Sequence, residues 1–306
     1  MTLPLYPRDF VGYAGAPPDP RWPGGARLAV NFVVNLEEGG ERCVLHGDPT
    51  SEIRLTDLAL SAPAVGRRDL LVESAYEYGT RVGFWRIIEA FGERRLPFTT
   101  YAVGMAMERT PQIVEALCAL GCDFVDHGWR WLDYAHVEED VEREHMERGI
   151  ETISRMTGKP PLGWYIGTPS ERTRAMRVKR GGFLFDSDDY SDELPFWTRV
   201  GGKAHLVIPH TLDNNDTRLA RGLGWGQAED FTRALSEEFE ALYEEGARRP
   251  RLMTIAVHAR LIGKPARMMH FRRFLDELLA RPGVWFCRRE EIARHWIEHH
   301  PAEAPS

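Results

Sequence analysis

Ala29-Val30-Asn31-Phe32-Val33-Val34-Asn35-Leu36-Glu37-Glu38-Gly39-Gly40 is an apolar, β-branched run that ends in two carboxylates and two glycines. The run reads as a buried strand, and the glycine pair stops it. Glu37 and Glu38 therefore stand where a strand opens into a loop. Successive side chains on a strand point to opposite faces, so only one glutamate need face a site there unless the loop re-aims the other. Three later runs have the same form. Residues 122–126 lead into His127-Gly128-Trp129-Arg130-Trp131. Residues 162–166 carry Trp164 and Tyr165 and lead to Thr168. Residues 252–257 lead into His258 and Arg260.

Helical patterns lie between these runs. Val82, Trp85, Ile88 and Phe91 recur at three-residue spacing over 81–94. Thr110-Pro111 starts a helix that Gly121 stops, and Val137, Val141, Ile150 and Ile153 mark one over 137–156 that Gly158 closes. Phe231, Leu235, Phe239 and Leu242 share a face over 227–245. Further helices are expected at 171–180, 266–280 and 289–299, and further strands at 96–103, 183–186, 205–209 and 284–287. This alternation predicts parallel strands with helical crossovers around one core, over a single domain spanning 1–306. About seven or eight strands suit an α/β sheet closed into a barrel, an estimate from the alternation rule. Sites in such folds collect at the carboxyl ends of the strands. Residues 1–25 are aperiodic but carry Tyr6, Phe10, Tyr13 and Trp22, and read as an ordered arm. Residues 39–79 are too long for an ordinary connection and read as a functional or interfacial insertion.

Composition narrows the function. The 306 residues are 43% hydrophobic with a net charge of −7, and the pI is near 5.9. No basic run stands out, so no nucleic-acid partner is expected. Cys43, Cys118, Cys122 and Cys287 form no zinc-ribbon pattern and read as buried, reduced thiols. Neither a signal-peptide core nor a transmembrane run is present in the sequence, so a cytoplasmic protein without a membrane partner is expected.

The strand-end residues suit amide hydrolysis, which needs an activated water, a stabilised oxyanion and a protonated leaving nitrogen. Glu37 or Glu38 would take the proton from water if burial and the neighbouring carboxylate raise its pKa. Arg260 and the indole N–H of Trp131 would hold the oxyanion. His258 or His127 would protonate the departing nitrogen. Tyr165, Trp164 and Trp129 would stack on a flat ring. Asn214, Asn215 and Asp216 read as residues that cap or hydrogen-bond a loop.

The order of these motifs resembles the polysaccharide deacetylase (NodB homology) superfamily. The resemblance implies a distorted (β/α) barrel. That superfamily's Asp-Asp-Gly motif supplies a base and a metal ligand, and Glu37-Glu38-Gly39 stands in its place. Its His-Ser-x-x-His motif supplies two metal ligands, and here Trp131 replaces the second histidine. Tyr165 stands where an arginine orients the base, and His258 ends the last motif strand. Zinc needs about three protein ligands beside an open position, and an indole donates but does not ligate. No cofactor or metal is therefore expected.

A narrower branch, the cofactor-independent allantoinases, is similar over nearly the whole chain. The similarity runs through Tyr6-Pro7-Arg8-Asp9, Asn35-x-Glu37-Glu38-Gly39-Gly40-Glu41-Arg42, Leu45-His46-Gly47-Asp48 and Glu73-Ser74-x-Tyr76-Glu77-Tyr78-Gly79. It continues through His127-Gly128-x-Arg130-Trp131 and His258-x-Arg260-Leu261-Ile262-Gly263. It implies opening of allantoin's five-membered ring to allantoate in purine breakdown, and a homo-oligomer, with a tetramer favoured. Thr168 stands where that branch carries an arginine, which brings a cyclic imide hydrolase into view. An N-acetylglucosamine polysaccharide deacetylase and an inactive binding scaffold are the other readings. Under the leading one, Glu37, Glu38, His127 and His258 are catalytic. Trp131, Arg260, Tyr165, Trp164 and Trp129 bind a small cyclic amide.

Overall fold

The computed structural model describes residues 8–58, 62–222 and 226–303. Tyr6 and Pro7 of the expected arm, and residues 59–61 of the insertion, lie outside these. The elements alternate as the sequence implies. β1 (Leu28–Leu36) is followed by α1 (Leu70–Tyr78), α2 (Phe84–Arg94), β2 (Thr99–Ala102), α3 (Gly104–Arg109), α4 (Pro111–Ala119) and β3 (Asp123–Asp126). Then come α5 (Glu139–Thr157), β4 (Gly163–Trp164), α6 (Thr173–Arg180), β5 (Phe185–Asp186), β6 (Phe196–Val200) and β7 (Lys203–Val207). The chain ends with α7 (Asp230–Glu245), β8 (Arg251–His258), α8 (Ala259–Ile262), α9 (Pro265–Leu279), β9 (Val284–Cys287) and α10 (Arg289–His299).

The sheet is a curled half-barrel rather than a closed ring. Its order is β6-β7-β5-β4-β3-β2-β1-β8, and β9 pairs with β1 off that path. All described pairs are parallel except β6 with β7. β1 is central: β8 runs along one edge, and β9 and β2 share the other. All nine of its residues are buried. Leu28, Val30, Phe32, Val34 and Leu36 face the helical layer, where Phe84, Phe91, Phe239 and Phe271 pack. Ala29 and Val33 face the interior with Tyr101, Tyr165 and Ile208. This two-residue period sends Glu37 toward the interior and Glu38 toward the helices.

Several details differ from the sequence reading. The insertion contains α1, which Asp69 caps by accepting from the backbone N–H groups of Leu71 and Val72. A π-turn, Gly79–Gly83, joins α1 to α2. The buried face of α2 is Phe84, Ile87, Ala90 and Phe91, while Trp85 is exposed. Steps of three residues drift around a 3.6-residue helix, so only steps alternating three and four stay on one face. In α5, Val141 is exposed and Met146, Gly149, Ile150 and Ile153 are buried. The β6–β7 hairpin turns on Gly201-Gly202, both at positive φ. Cys43 and Cys287 are buried as expected, but Cys118 is exposed. In the arm, Trp22 is buried and donates to the Arg251 carbonyl, whereas Phe10 is largely exposed. No described helix is long and apolar enough to cross a membrane.

Candidate active site

Register brings the distant motifs to one rim. Asn35 lies level with Tyr101 on β2 and with His258 on β8. Ala102 lies level with Asp126, which lies level with Trp164. The residues just beyond β1, β3 and β8 thus share one end of the sheet. There Glu37 Oε1 is 3.2 Å from His127 Nε2 and 3.4 Å from His258 Nε2. Arg260 Nη2 donates to Glu37 Oε2 at 2.6 Å, and Nη1 donates to Glu38 Oε1 at 3.2 Å. All five of these side chains are buried.

Each histidine is oriented from behind. His127 Nδ1 donates to the Tyr165 carbonyl at 2.6 Å, which turns Nε2 to Glu37. His258 Nδ1 donates to Asp216 Oδ1 at 2.7 Å. Asp216 Oδ2 accepts from the backbone N–H groups of His258 and Ile262. Asp216, read from sequence as a loop-capping residue, thus belongs to the site. It follows an aperiodic stretch, and an isolated Asn-Asn-Asp reads as a turn.

The insertion closes over this cluster. Leu55 supplies a carbonyl to Arg260 Nε at 2.8 Å. The Arg260 guanidinium lies 4.4 Å from the Tyr76 ring and 5.4 Å from the Trp131 ring, and Arg54 stacks on Trp131 at 4.3 Å. Arg130 holds the insertion down through Asp48 and the Gly40 and Glu41 carbonyls. Gly79 is needed at its place because a Cβ there would meet Glu38 Oε1 at 2.5 Å.

Two sequence candidates do not join. Trp164 stacks on His205 and meets Phe183 edge-on, on the far face of β4. Trp129 packs under Gly104 and carries the Arg148 guanidinium on its ring. Trp164 precedes Tyr165 by one residue and so points away from it. The Gly128 turn, at positive φ, sends Trp129 against α3. Tyr165 does join: its ring stacks on His127 at 5.2 Å.

The electrostatics separate the two glutamates. Burial pushes Glu37 up, but His258, Arg260 and the His127 contact outweigh it and hold the carboxyl well below the usual range. Burial raises Glu38 and Arg260 opposes it, while Glu37 adds to the rise, so its carboxyl ends above the usual range. The expectation that the base would be a glutamate with a raised pKa is therefore corrected for Glu37, because its cationic neighbours win over its carboxylate neighbour. Burial lowers His258, but Glu37 and Asp216 together push it up to about 9. At neutral pH the pair is an ionised Glu37 facing a protonated His258.

This rim can be set beside known proteins. The family model for polysaccharide deacetylase matches residues 67–178. The Schizosaccharomyces pombe protein named "Putative polysaccharide deacetylase" is 37% identical, over 97% of this chain and 99% of its own length. The chain belongs to the polysaccharide deacetylase family, and it has that family's hydrolase fold. A solved structure of a "probable Polysaccharide deacetylase" from Pseudomonas aeruginosa PAO1 is 47% identical, covering 97% of this chain and 100% of that one, with a TM-score of 0.95. The structure of Puue Allantoinase is 46% identical over 97% of this chain and 99% of that one, also with a TM-score of 0.95.

The family relation implies a metal, and the residues here do not fit one. Trp131 offers no lone pair at the second histidine position. The Arg260 guanidinium already bridges the two carboxylates and would repel a cation placed between them. Among the described residues, no group of three His, Cys, Asp or Glu is placed to hold a metal ion.

Proposed function

We propose that this chain hydrolyses a five-membered cyclic amide, and that allantoin, opened to allantoate, is its substrate. The observation that carries the reading is the Arg260 guanidinium clamped between Glu37 and Glu38, with His258 in contact with Glu37. A fixed organic cation holds both carboxylates of the first strand-end motif. Whole-length similarity to an allantoinase supports the choice of ring.

Glu37 takes a proton from the attacking water as the new C–O bond forms. Two N–H groups of Arg260 remain beyond its three bonds to Leu55, Glu38 and Glu37, and they favour the charge that develops on the carbonyl oxygen. His258 gives its Nε2 proton to the ring nitrogen as the C–N bond breaks. The proton on Glu37 then crosses the 3.4 Å contact to His258 Nε2 and restores both groups. The carboxylic acid product loses its own proton to solvent. Asp216 keeps His258 in the orientation and charge state this cycle needs.

Thr168 favours a second reading, a cyclic imide without a ureido arm. No guanidinium stands at that position, and the threonine hydroxyl donates instead to the Leu132 carbonyl. A panel of allantoin, hydantoin, succinimide and an N-acetylglucosamine oligomer, each with and without exhaustive chelation, tests both. Allantoate formation that survives chelation supports the first reading. Release of acetate alone, or activity abolished by chelation and restored only by zinc, overturns both.

A further inference from the structure

The rim has a second sector that the mechanism leaves unused. Glu37, Glu38, His258 and Arg260 follow β1 and β8. Around His127, Tyr101 lies on β2 one residue before its end, Tyr165 follows β4, Ser187 and Asp188 follow β5, and His210 follows β7. The Tyr101 ring lies 4.8 Å from Tyr165 and 5.3 Å from His210, and Tyr165 lies 4.4 Å from His210. The sector touches the catalytic cluster through His127, whose ring is 6.1 Å from Tyr101 and 5.2 Å from Tyr165.

Four buried polar atoms here make no well-formed hydrogen bond among the described residues: Tyr101 Oη, Ser187 Oγ, Asp188 Oδ2 and His210 Nδ1; the Tyr101 and Ser187 hydroxyls approach only each other. Tyr101 and Ser187 are 0% exposed and His210 is 6% exposed. Burying such groups without full pairing is costly, and a concentration of them at one rim marks a place built to bind. Asp188 holds its other oxygen on the backbone N–H groups of Ile166 and Gly167, so Oδ2 is fixed in place. The neighbouring Arg289 donates through Nη1 and Nη2 to the carbonyls of Ile208 and Pro209 and to Thr254, while its buried Nε is a further unpaired donor.

We propose that this sector binds a planar, neutral, urea-type substituent on the substrate ring, with Tyr101, Ser187, Asp188 and His210 as its hydrogen-bond partners. Such a group carries both N–H donors and a carbonyl acceptor. The four side chains offer both functions, and two tyrosine rings offer flat faces to it. The inference rests on the ring-opening reading and deepens it: with threonine rather than arginine at position 168, the hydrogen bonds to the ureido arm come from β2, β5 and β7.

The test is the double variant Tyr101→Phe, Ser187→Ala, which removes two hydroxyls without breaking a bond to any third group. The expected result is a fall in kcat/KM of about tenfold on allantoin, the worth of one or two neutral hydrogen bonds. Hydantoin has the same ring without the ureido arm, and its turnover should change less than twofold. Tm should stay level or rise, because buried unpaired hydroxyls are removed. An equal fall on both rings, or no change on either, overturns the proposal. A separate arm measures binding of allantoin and of hydantoin by calorimetry to Glu37→Gln protein. Tighter binding of allantoin that the double variant abolishes supports the sector even where wild-type enzyme opens neither ring, an outcome that sinks the ring-opening reading alone. Equal binding of the two probes overturns the sector alone.

Discussion

At the scale of single residues, the site is a balance between two carboxylates, two imidazoles and one guanidinium. Glu37→Gln keeps the shape of the side chain and removes its charge. We expect kcat to fall by about two to four orders of magnitude, the usual worth of general-base help. The same change leaves Arg260 and His258 with one anion fewer, so Tm should fall too, by the equivalent of about 3–5 kcal/mol for a broken buried pair. Circular dichroism well below the new Tm should still show the native spectrum, and full turnover on every ring in the panel would refute the assignment. His258 gives a pH prediction. Its folded pKa of about 9 lies above the ordinary value of 6.5. The stabilisation linked to its proton is therefore fully present below pH 6.5 and is lost as pH rises through about 9. The acid that protonates the leaving nitrogen disappears over the same range, so kcat/KM should decline on an alkaline limb near pH 9. Asp216→Asn removes an anion that holds the proton on His258 and should move that limb to lower pH. An unmoved limb would show that His258 is not the acid.

At the scale of elements, the strand ends were legible in the sequence and the parts that close over them were not. β1, β3 and β8 announce themselves as apolar runs, and Glu37, His127 and His258 follow directly from where those runs stop. Asp216 was hidden because its role is set by a long-range contact across 42 residues to His258. Trp164 and Trp129 misled because an aromatic beside a motif carries no sign of the face it takes. The α1–π-turn–α2 unit was half visible: its second helix has a period, but the first sits in the insertion. π-Turns inside helices occur often at functional sites, and this one has a stated reason. It lets Gly79 pass against Glu38, and it lets Gly83 pass against Ala259 and Gly263, where a Cβ on Gly83 would meet the Ala259 carbonyl at 2.1 Å. Gly79→Ala should push Glu38 off Arg260 and lower kcat/KM by about a hundredfold, the scale of an ångström's misplacement in a catalytic group. Wild-type kinetics in that variant would show that Glu38 is not held by this contact.

At the scale of the whole molecule, the insertion has two faces. One supplies the Leu55 carbonyl, Tyr76 and Arg54 to the site. The other carries large apolar side chains into solvent: Leu45 is 67% exposed, Val65 74% and Leu70 64%. In the N-terminal arm, Phe10 is 70% exposed and Val11 71%. Scattered apolar side chains are ordinary on a surface, but several in one short insertion suit a contact with another copy of the chain. We therefore expect a homo-oligomer in which the insertion lies at the subunit contact. Because the same segment holds Arg260 through Leu55, dissociation should loosen the site as well as the assembly. Light scattering at micromolar concentration should give a mass that is a multiple of the monomer's 35.0 kDa. A double change of Val65 and Leu70 to Ser should lower that mass and lower kcat/KM together. A compact monomer in the unmodified protein would refute the assembly. A dissociated variant with unchanged kinetics would show that the insertion holds Arg260 without help from a neighbour.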